Sequence, residues 1–311
     1  MWAHRFPGHI RFDPDSGVLT FLAPVSYKGE QPLDDDETGP IPKAWLLNEE
    51  RTTPAWDKLP TSEKEHKRRI MLADWLFEVI DHASNSKDRK KAKKMLSRHT
   101  FGLAVNYLDR SLIDQYVNPK GFTLRGAVCL FIASKFQDVE PIAVSELVFM
   151  CTGEFRDDDI IRQENVVLKA LGWELVHTPC SMFLDALLKK LPKELTTDNG
   201  QFVHLCNFIC DAAMMSWDIL RKASKASQLA CAILVHAATV LKLGRDPVYQ
   251  LLTQPPLSIG ITSTNWSNLL NDIKEFHVSV FESEVTLYNI LRKIYAKKDR
   301  GAVSKIDPST T

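Results

Sequence analysis

The sequence predicts an all-α protein that contains two successive helical bundles. Apolar residues recur at helical spacing from about residue 41 onward, and the alternation typical of strands is nearly absent after residue 40. The helical segments fall into two groups of about five helices each, which favours tandem bundles. The chain has 311 residues, 44% of them hydrophobic and 25% charged, so each half can bury a core of its own.

The charge balance and the apolar runs exclude several classes of protein. Lys and Arg together number 39, as do Asp and Glu, so the formal net charge is zero. A neutral chain has no general attraction to nucleic acid or to an anionic membrane, and we expect neither as a partner. No apolar run reaches the ~18 residues of a membrane span, and Met1–Gly8 lacks the layout of a signal peptide. These features predict a soluble intracellular protein.

The cysteines and histidines carry no clear metal-site pattern. None of the six cysteines forms a CxxC pair, and most have apolar neighbours. Cys206 and Cys210 lie one helical turn apart, which is compatible with two metal ligands or, as we favour, with two small core residues. His236 lies in an apolar helix and is interpreted as a core histidine. We therefore predict no cofactor, no metal and no disulfide framework.

Residues 1–40 are predicted to form an irregular N-terminal arm. Pro and Gly recur throughout this segment, and an acidic run occupies residues 34–37, so long helices are excluded. A short extended piece is expected around Val18–Phe21. Residues 41–66 are interpreted as an N-terminal helix, centred on residues 44–50, and a linker.

The first bundle is assigned to residues 67–177 and the second to residues 178–298, followed by a tail at 299–311. Two stretches are apolar nearly all round, Ala127–Ala133 and the helix 226–243, and each is expected at the centre of its bundle. The predicted helices of the two bundles cover residues 70–79, 99–116, 122–137, 142–150, 158–171, 179–191, 201–220, 226–243, 247–252 and 265–297.

Two charged residues interrupt apolar stripes in the first bundle. On the helix 122–137 the stripe leads to Lys135, and on the helix 158–171 Glu164 takes the turn between two apolar pairs. A charge that is buried without a partner costs several kcal/mol, so such residues pair with each other or with another molecule. The spacing leaves two interpretations open. One is a private ion pair, and the other is a charged pair beside an apolar groove that captures the end of a partner's helix.

Several motifs resemble those of the cell-cycle cyclins, over about Trp45–Phe281. On these residues the chain is identified as a member of the cyclin-box family, divergent and most similar to the G1/S E-type cyclins. Together the motifs are specific, whereas each alone is weak. The matching segments are Trp45–Thr52, similar to the E-type helix before the box; Arg68–Val79, with a DWLxEV core; Leu103–Arg110, similar to LAxNYxDR; Ala133–Phe136, the ASKF motif; and Leu168–Leu175, similar to an LxWxL exit.

The resemblance implies two five-helix cyclin boxes without catalytic activity, and a cyclin-dependent kinase as partner in a heterodimer. Members of the family use the lysine and glutamate that match Lys135 and Glu164 to hold the kinase's C-helix. Such a grip stabilises the inward position of that helix and shifts the kinase toward its active state. The apolar neighbours implied in kinase binding are Phe136, Leu168, Trp173 and Leu175.

The resemblance also implies a docking patch for substrates or inhibitors that carry an Arg-x-Leu motif. Met71, Leu72 and Trp75 match this patch, although the same three residues can equally be interpreted as core. Arg68 stands where the family has methionine, and Thr123 where it usually has glutamine. These two departures predict either a changed sequence preference or no docking.

Other functions fit less well. A transcription-type cyclin fold that binds DNA or polymerase predicts a basic face, which a net charge of zero disfavours. A helical enzyme predicts a phosphate-binding loop or a nucleophile or metal motif, none of which occurs in the sequence. The basic run Ser84–Lys94 is either a solvated loop, as we favour, or a localisation signal. The family implies the nucleus, with the cytoplasm as a second location.

Overall fold

A computed structural model describes residues 10–12, 19–21, 40–85, 96–114, 119–196, 200–223, 225–244, 246–254, 265–283 and 286–310. The chain divides into two compact units, Met1–Thr38 and Gly39–Thr311. Residues 84 and 85, the first two of the predicted basic loop, form the end of a helix. The rest of that loop, from residue 86 onward, lies outside the described residues.

The first unit contains a two-stranded antiparallel hairpin. Strand β1, Ile10–Phe12, pairs with strand β2, Leu19–Phe21, and Ile10 lies opposite Phe21. The expected extended piece is confirmed over Leu19–Phe21, but its pairing with β1 was not predicted. Strands of three residues are too short for alternation to mark them in the sequence.

The helix α4 forms the centre of the first half of the second unit. It packs against α2, α3, α5 and α6, and Ala127 and Ala133 are fully buried, as the apolar run predicts. The helices of this half are α1 (Lys43–Thr52), α2 (Glu63–Asn85), α3 (Arg98–Asp114), α4 (Pro119–Gln137), α5 (Val144–Met150) and α6 (Asp157–Ala170).

The helix α11 forms the centre of the second half and packs against α7, α9, α10, α12 and α13. Three single turns of 3-10 helix lie between Lys298 and Thr310. The helices of this half are α7 (Cys180–Lys190), α8 (Lys193–Thr196), α9 (Gly200–Met214), α10 (Trp217–Ala223), α11 (Ala226–Val240), α12 (Asp246–Leu252), α13 (Asn265–Glu282) and α14 (Asn289–Tyr295).

The predicted helix 201–220 is wrong as a single helix. The helix α9 ends at Met214 and α10 begins at Trp217. At the break the Trp217 indole donates a hydrogen bond of 2.8 Å to Asp109, a residue of α3. A contact between segments that lie far apart in the chain therefore sets this boundary, and the local apolar period does not reveal it.

The predicted helix 265–297 is also divided into two, α13 and α14. Tyr288, just before α14, takes a left-handed backbone conformation with φ 54°. The Asp74 carboxylate of α2 accepts hydrogen bonds of 2.9 Å from the backbone N–H groups of Ile290 and Leu291. These are N–H groups of a first helical turn, which have no partner within the helix. A side chain from α2 thus caps α14.

A buried polar cluster joins the two halves of the second unit. Arg98 of α3 donates hydrogen bonds to Asp211 at 2.8 Å and to the Asn207 side chain at 2.7 Å, both on α9. The Tyr295 hydroxyl of α14 donates to the same aspartate at 2.6 Å. Gly39–Thr311 accordingly forms one compact unit. The boundary between the bundles near residue 177 stays a prediction.

The candidate metal ligands of the sequence are core residues. All six cysteines are buried with free thiols, which confirms this interpretation for Cys206 and Cys210. His236 is buried with its Nε2 3.0 Å from Nδ1 of His277, so it is a core histidine. Among the described residues, no group of three or more His, Cys, Asp or Glu side chains is arranged to hold a metal ion. Within the same residues, no helix combines the length and apolar character needed to cross a bilayer.

Candidate functional site

Lys135 and Glu164 form an ion pair between the last turn of α4 and the middle of α6, in which the lysine ammonium donates to the glutamate carboxylate. Their side chains are 33% and 17% exposed, so the pair lies at the surface. The private ion pair that the sequence offered as one alternative is present. Its surface position also leaves both charges within reach of a second molecule.

Apolar residues lie next to this ion pair, one in contact with it and two near it along α4 and α6. The Lys135 ammonium lies 4.2 Å from the centre of the Phe131 ring, a cation–π contact. Phe136 is half-buried and packs against the core beside it in sequence. Ile161 lies one helical turn before Glu164 and is exposed. A partner that covered this pair would exclude water from it and so strengthen a charged hydrogen bond.

Two residues of the implied kinase-binding set belong to the core. Leu168 and Leu175 are each 6% exposed, so they offer a partner little contact area and support the surface from below. The helix α6 packs against α3 and α4, which accounts for the burial of Leu168, and contact of either leucine with a partner stays a prediction. Trp173 remains accessible, with 39% exposure.

Trp173 lies in a strained turn at the end of α6. Gly172 takes the left-handed conformation and its N–H bonds to the Lys169 carbonyl at 3.0 Å, while the Trp173 N–H bonds to the Leu168 carbonyl at 3.0 Å. This is the Schellman arrangement that commonly ends helices. Trp173 itself also has a positive φ of 62°, which is unusual for a bulky side chain. The turn therefore holds a partly exposed tryptophan three residues beyond the end of α6.

The sequence did not identify two exposed apolar residues near this region. Phe149 on α5 is 80% exposed, and Val139 in the loop between α4 and α5 is fully exposed. Only Leu147 of α5 is buried, so a helix of seven residues offers too few positions for a buried face to stand out. The signal available in the sequence was the position of Phe149, a large apolar residue two positions after the buried Leu147.

A second site is an open groove of about 850 Å³ along the outer side of α2. Met71 is 54% exposed, Trp75 is half-buried and Leu72 is buried, so the predicted docking patch is only partly core. Thr123 lies in the groove wall. The lining residues are Glu63, Lys64, Lys67, Arg68, Met71, Leu72, Trp75, Phe122, Thr123, Met150, Cys151, Thr152 and Glu154.

The floor of the groove depends on a close approach of α2 to α4. A Cβ atom on Gly126 would lie 2.8 Å from a methyl carbon of Leu72, which is closer than such atoms approach in proteins. At the groove's edge Arg68 donates two hydrogen bonds, of 2.8 and 2.9 Å, to the Glu65 carboxylate. The groove therefore combines an apolar floor with an edge of paired charges.

Comparison with known proteins identifies the family. Residues 41–176 match the family model of the cyclin N-terminal domain. This range contains all the motifs from Trp45 to Leu175 on which the resemblance was based. Residues 41–176 therefore form a cyclin N-terminal domain, and over this range the chain is similar to divergent cyclins. Its ion pair, its strained turn and its groove all lie within the matched cyclin domain.

Two cyclins illustrate the distance to characterised relatives. Cyclin-A1-4 of rice, Oryza sativa subsp. japonica, is 28% identical over 184 residues, which cover 58% of this chain and 48% of the relative. G1/S-specific cyclin-D1 of Xenopus laevis is 27% identical over 217 residues, which cover 68% of this chain and 69% of the relative. The chain thus spans about half the length of the rice relative. A particular similarity to E-type cyclins stays a prediction.

The X-ray structure of a viral cyclin from herpesvirus saimiri has the same fold. It superposes with a TM-score of 0.58 at 22% identity, over 75% of this chain and 94% of the viral chain. The predicted all-α class and cyclin-box architecture are confirmed, with the short N-terminal hairpin as an addition.

Proposed function

We propose that this chain is a non-catalytic regulatory subunit that binds and activates a cyclin-dependent kinase. The observation that carries the proposal is the partly exposed Lys135–Glu164 ion pair, whose lysine lies over the Phe131 ring. A lysine and a glutamate so placed can exchange their mutual hydrogen bond for bonds to a partner's helix. The match to the cyclin N-terminal domain supports the same role.

Activation would follow if this chain binds one position of the kinase's C-helix better than another. An active protein kinase needs a glutamate of its C-helix paired with the lysine that positions the ATP phosphates. Contacts that form only when this helix is turned inward shift the population toward the active state. The surface around Lys135 and Glu164 need only supply binding energy, because the kinase performs the chemistry.

The test compares two surface ion pairs of the same chemistry. Lys135→Ala/Glu164→Ala is purified alongside Lys222→Ala/Asp272→Ala, which removes the 2.6 Å pair between α10 and α13. Affinity for a panel of cyclin-dependent kinases is measured by calorimetry, and activation by phosphate transfer to a peptide. We expect the first double variant to lose at least ~10-fold in affinity and the second to match wild type. Equal binding by both would refute the proposed kinase site.

We further propose that the groove along α2 recruits substrates that carry an apolar docking motif of the Arg-x-Leu type. Met71 supplies exposed apolar surface there. Met71→Ala is expected to weaken binding of a fluorescent Arg-x-Leu peptide ~10-fold, since a truncated anchor residue typically costs more than 1 kcal/mol. Leu47→Ala, on an exposed apolar residue of α1, is the matched control. Equal affinities of both variants and wild type would rule out this peptide.

The proposed location is the nucleus, where cell-cycle kinases act on their substrates. A fluorescent fusion followed through one division cycle tests it, and exclusion from the nucleus at every stage would overturn it.

A further inference from the structure

The motif Asn106–Arg110 on α3 has no role in the sites described above, yet its polar side chains all bind segments outside α3. The Asn106 side chain donates to the Thr52 carbonyl at the end of α1, at 3.2 Å. Asp109 accepts from α2 and α10. Tyr107 and Arg110 both reach the turn that follows α6. Half of the motif's polar groups therefore serve the segment that carries Trp173.

Tyr107 and Arg110, which we call the α3 bracket, hold that turn through three carbonyl groups. The Arg110 guanidinium donates to the Glu174 carbonyl at 2.9 Å and to the Leu171 carbonyl at 3.2 Å. The Tyr107 hydroxyl donates to the Leu175 carbonyl at 2.6 Å. These carbonyls lie on both sides of Trp173 in the chain, so the bracket fixes the backbone before and after it.

The turn needs such support because of its conformation. Gly172 and Trp173 have consecutive positive φ values of 62° each. Glycine accepts this at little cost, whereas a residue with a Cβ is strained in it. Hydrogen bonds from a charged guanidinium are stronger than those between neutral groups, so they can offset that strain. Without them, the two backbone hydrogen bonds of the turn alone would hold Trp173 in this conformation.

We propose that Tyr107 and Arg110 are positioning residues that hold Trp173 in place for the kinase. The inference rests on the proposed kinase-binding function. Arg110 is half-buried and its donors already bond to carbonyls, and Tyr107 is fully buried, so both act through the turn. The effect on the partner passes through the orientation of one indole.

The first measurement needs no kinase. The protein is labelled with 5-fluorotryptophan, and Trp173→Phe assigns the Trp173 resonance among the seven tryptophans. Arg110→Met and Tyr107→Phe are compared with Arg221→Met. Arg221 is a matched control because it donates to the carbonyls of Leu59 and Pro60 in another linker, at 3.2 and 2.7 Å. We expect the Trp173 signal to shift or broaden in the first two variants and not in the control.

The second measurement is a double-mutant cycle on kinase affinity. Arg110→Met and Trp173→Ala are each expected to weaken binding about tenfold, the equivalent of one charged hydrogen bond. If Arg110 acts through Trp173, the combined variant binds as Trp173→Ala does, within about twofold. Binding of the peptide in the α2 groove stays unchanged, which separates positioning from general destabilisation. Tyr107→Phe, which removes a single oxygen, repeats the cycle if the arginine variant does not fold.

The Trp173 resonance and the double-mutant cycle decide whether Tyr107 and Arg110 position Trp173. A Trp173 resonance that stays unchanged in both bracket variants overturns it without reference to any kinase. Additive losses in the cycle also overturn it, because Arg110 would then act independently of Trp173. A shifted resonance together with a non-additive cycle supports it. Failure of the kinase proposal itself is seen separately, as wild-type affinity of Lys135→Ala/Glu164→Ala.

Discussion

Asp109 joins three helices through one carboxylate. Arg69 of α2 donates to it twice, at 2.9 and 2.7 Å, and the Trp217 indole of α10 donates at 2.8 Å. Both members of the ion pair are fully buried, and the guanidinium lies over the Trp217 ring at 5.5 Å. A buried cation that loses its counter-ion leaves its desolvation cost uncompensated.

We therefore expect Asp109→Asn to lower the free energy of unfolding by about 3–5 kcal/mol, although the side chain keeps its shape. Urea unfolding followed by circular dichroism measures this change. The control is Asp272→Asn, which breaks a partly exposed pair with Lys222 and is expected to cost no more than ~1 kcal/mol. Equal losses of unfolding free energy in the two variants would show that the buried Arg69–Asp109 pair stabilises the fold no more than the partly exposed Lys222–Asp272 pair does.

At the scale of single residues, the sequence identifies a site where a charge breaks an apolar period. Lys135 and Glu164 could be predicted in this way, and the structure pairs them. Burial was harder to predict, because a stripe of leucines does not show which members face the core, as Leu168 and Leu175 illustrate. Phe149 was missed because a short helix contains too few positions for a period.

At the scale of elements, a buried carboxylate joins the helix α1 to α11. Glu49 accepts hydrogen bonds from the Ser227 backbone N–H at 2.6 Å and from its hydroxyl at 2.7 Å, at the start of α11. Burial raises the pKa of this carboxyl, and the hydrogen bonds from Ser227 oppose the rise. Trp45 adds an edge-on contact with the Phe183 ring at 5.8 Å.

We expect Glu49→Ala to destabilise the protein by about 1–3 kcal/mol, because it leaves a buried N–H of α11 without an acceptor. Its neighbour provides a matched control: Glu50 pairs with Lys225 at the exposed surface, and Glu50→Ala is expected to leave the stability nearly unchanged. Hydrogen exchange over residues 43–52 measures the release of α1. Protection of this segment in Glu49→Ala equal to that in Glu50→Ala would contradict the assignment.

At the scale of the whole molecule, the two central helices could be predicted because they are apolar on all sides. The division of the long C-terminal segment could not be predicted, since the cap of α14 is Asp74, a residue of α2. Local periodicity carries no information about a hydrogen bond between such distant positions. The arrangement of the halves is set by buried side chains of this kind.

Acidification acts on the whole molecule through buried histidines. Burial lowers the pKa of His177 to about 3, of His236 to about 4 and of His277 to about 3, from an ordinary value of 6.5. Below pH 6.5 the unfolded chain takes up protons that the folded protein does not, so stability falls as the pH falls toward these values. Glu49 and Asp74 act in the opposite direction, because burial raises the pKa of their carboxyls.

Protonation of these histidines in the unfolded chain begins near their ordinary pKa of 6.5, so they lower the stability across the pH range just below that value. Each neutral buried histidine contributes up to ~1.4 kcal/mol per pH unit in this window. Urea unfolding between pH 7.5 and 5.5 is therefore expected to give a steadily lower free energy of unfolding. His236→Asn/His277→Asn should reduce the slope by about two protons. A slope in the double variant equal to that of wild type would mean that this pair is not the source of the acid sensitivity.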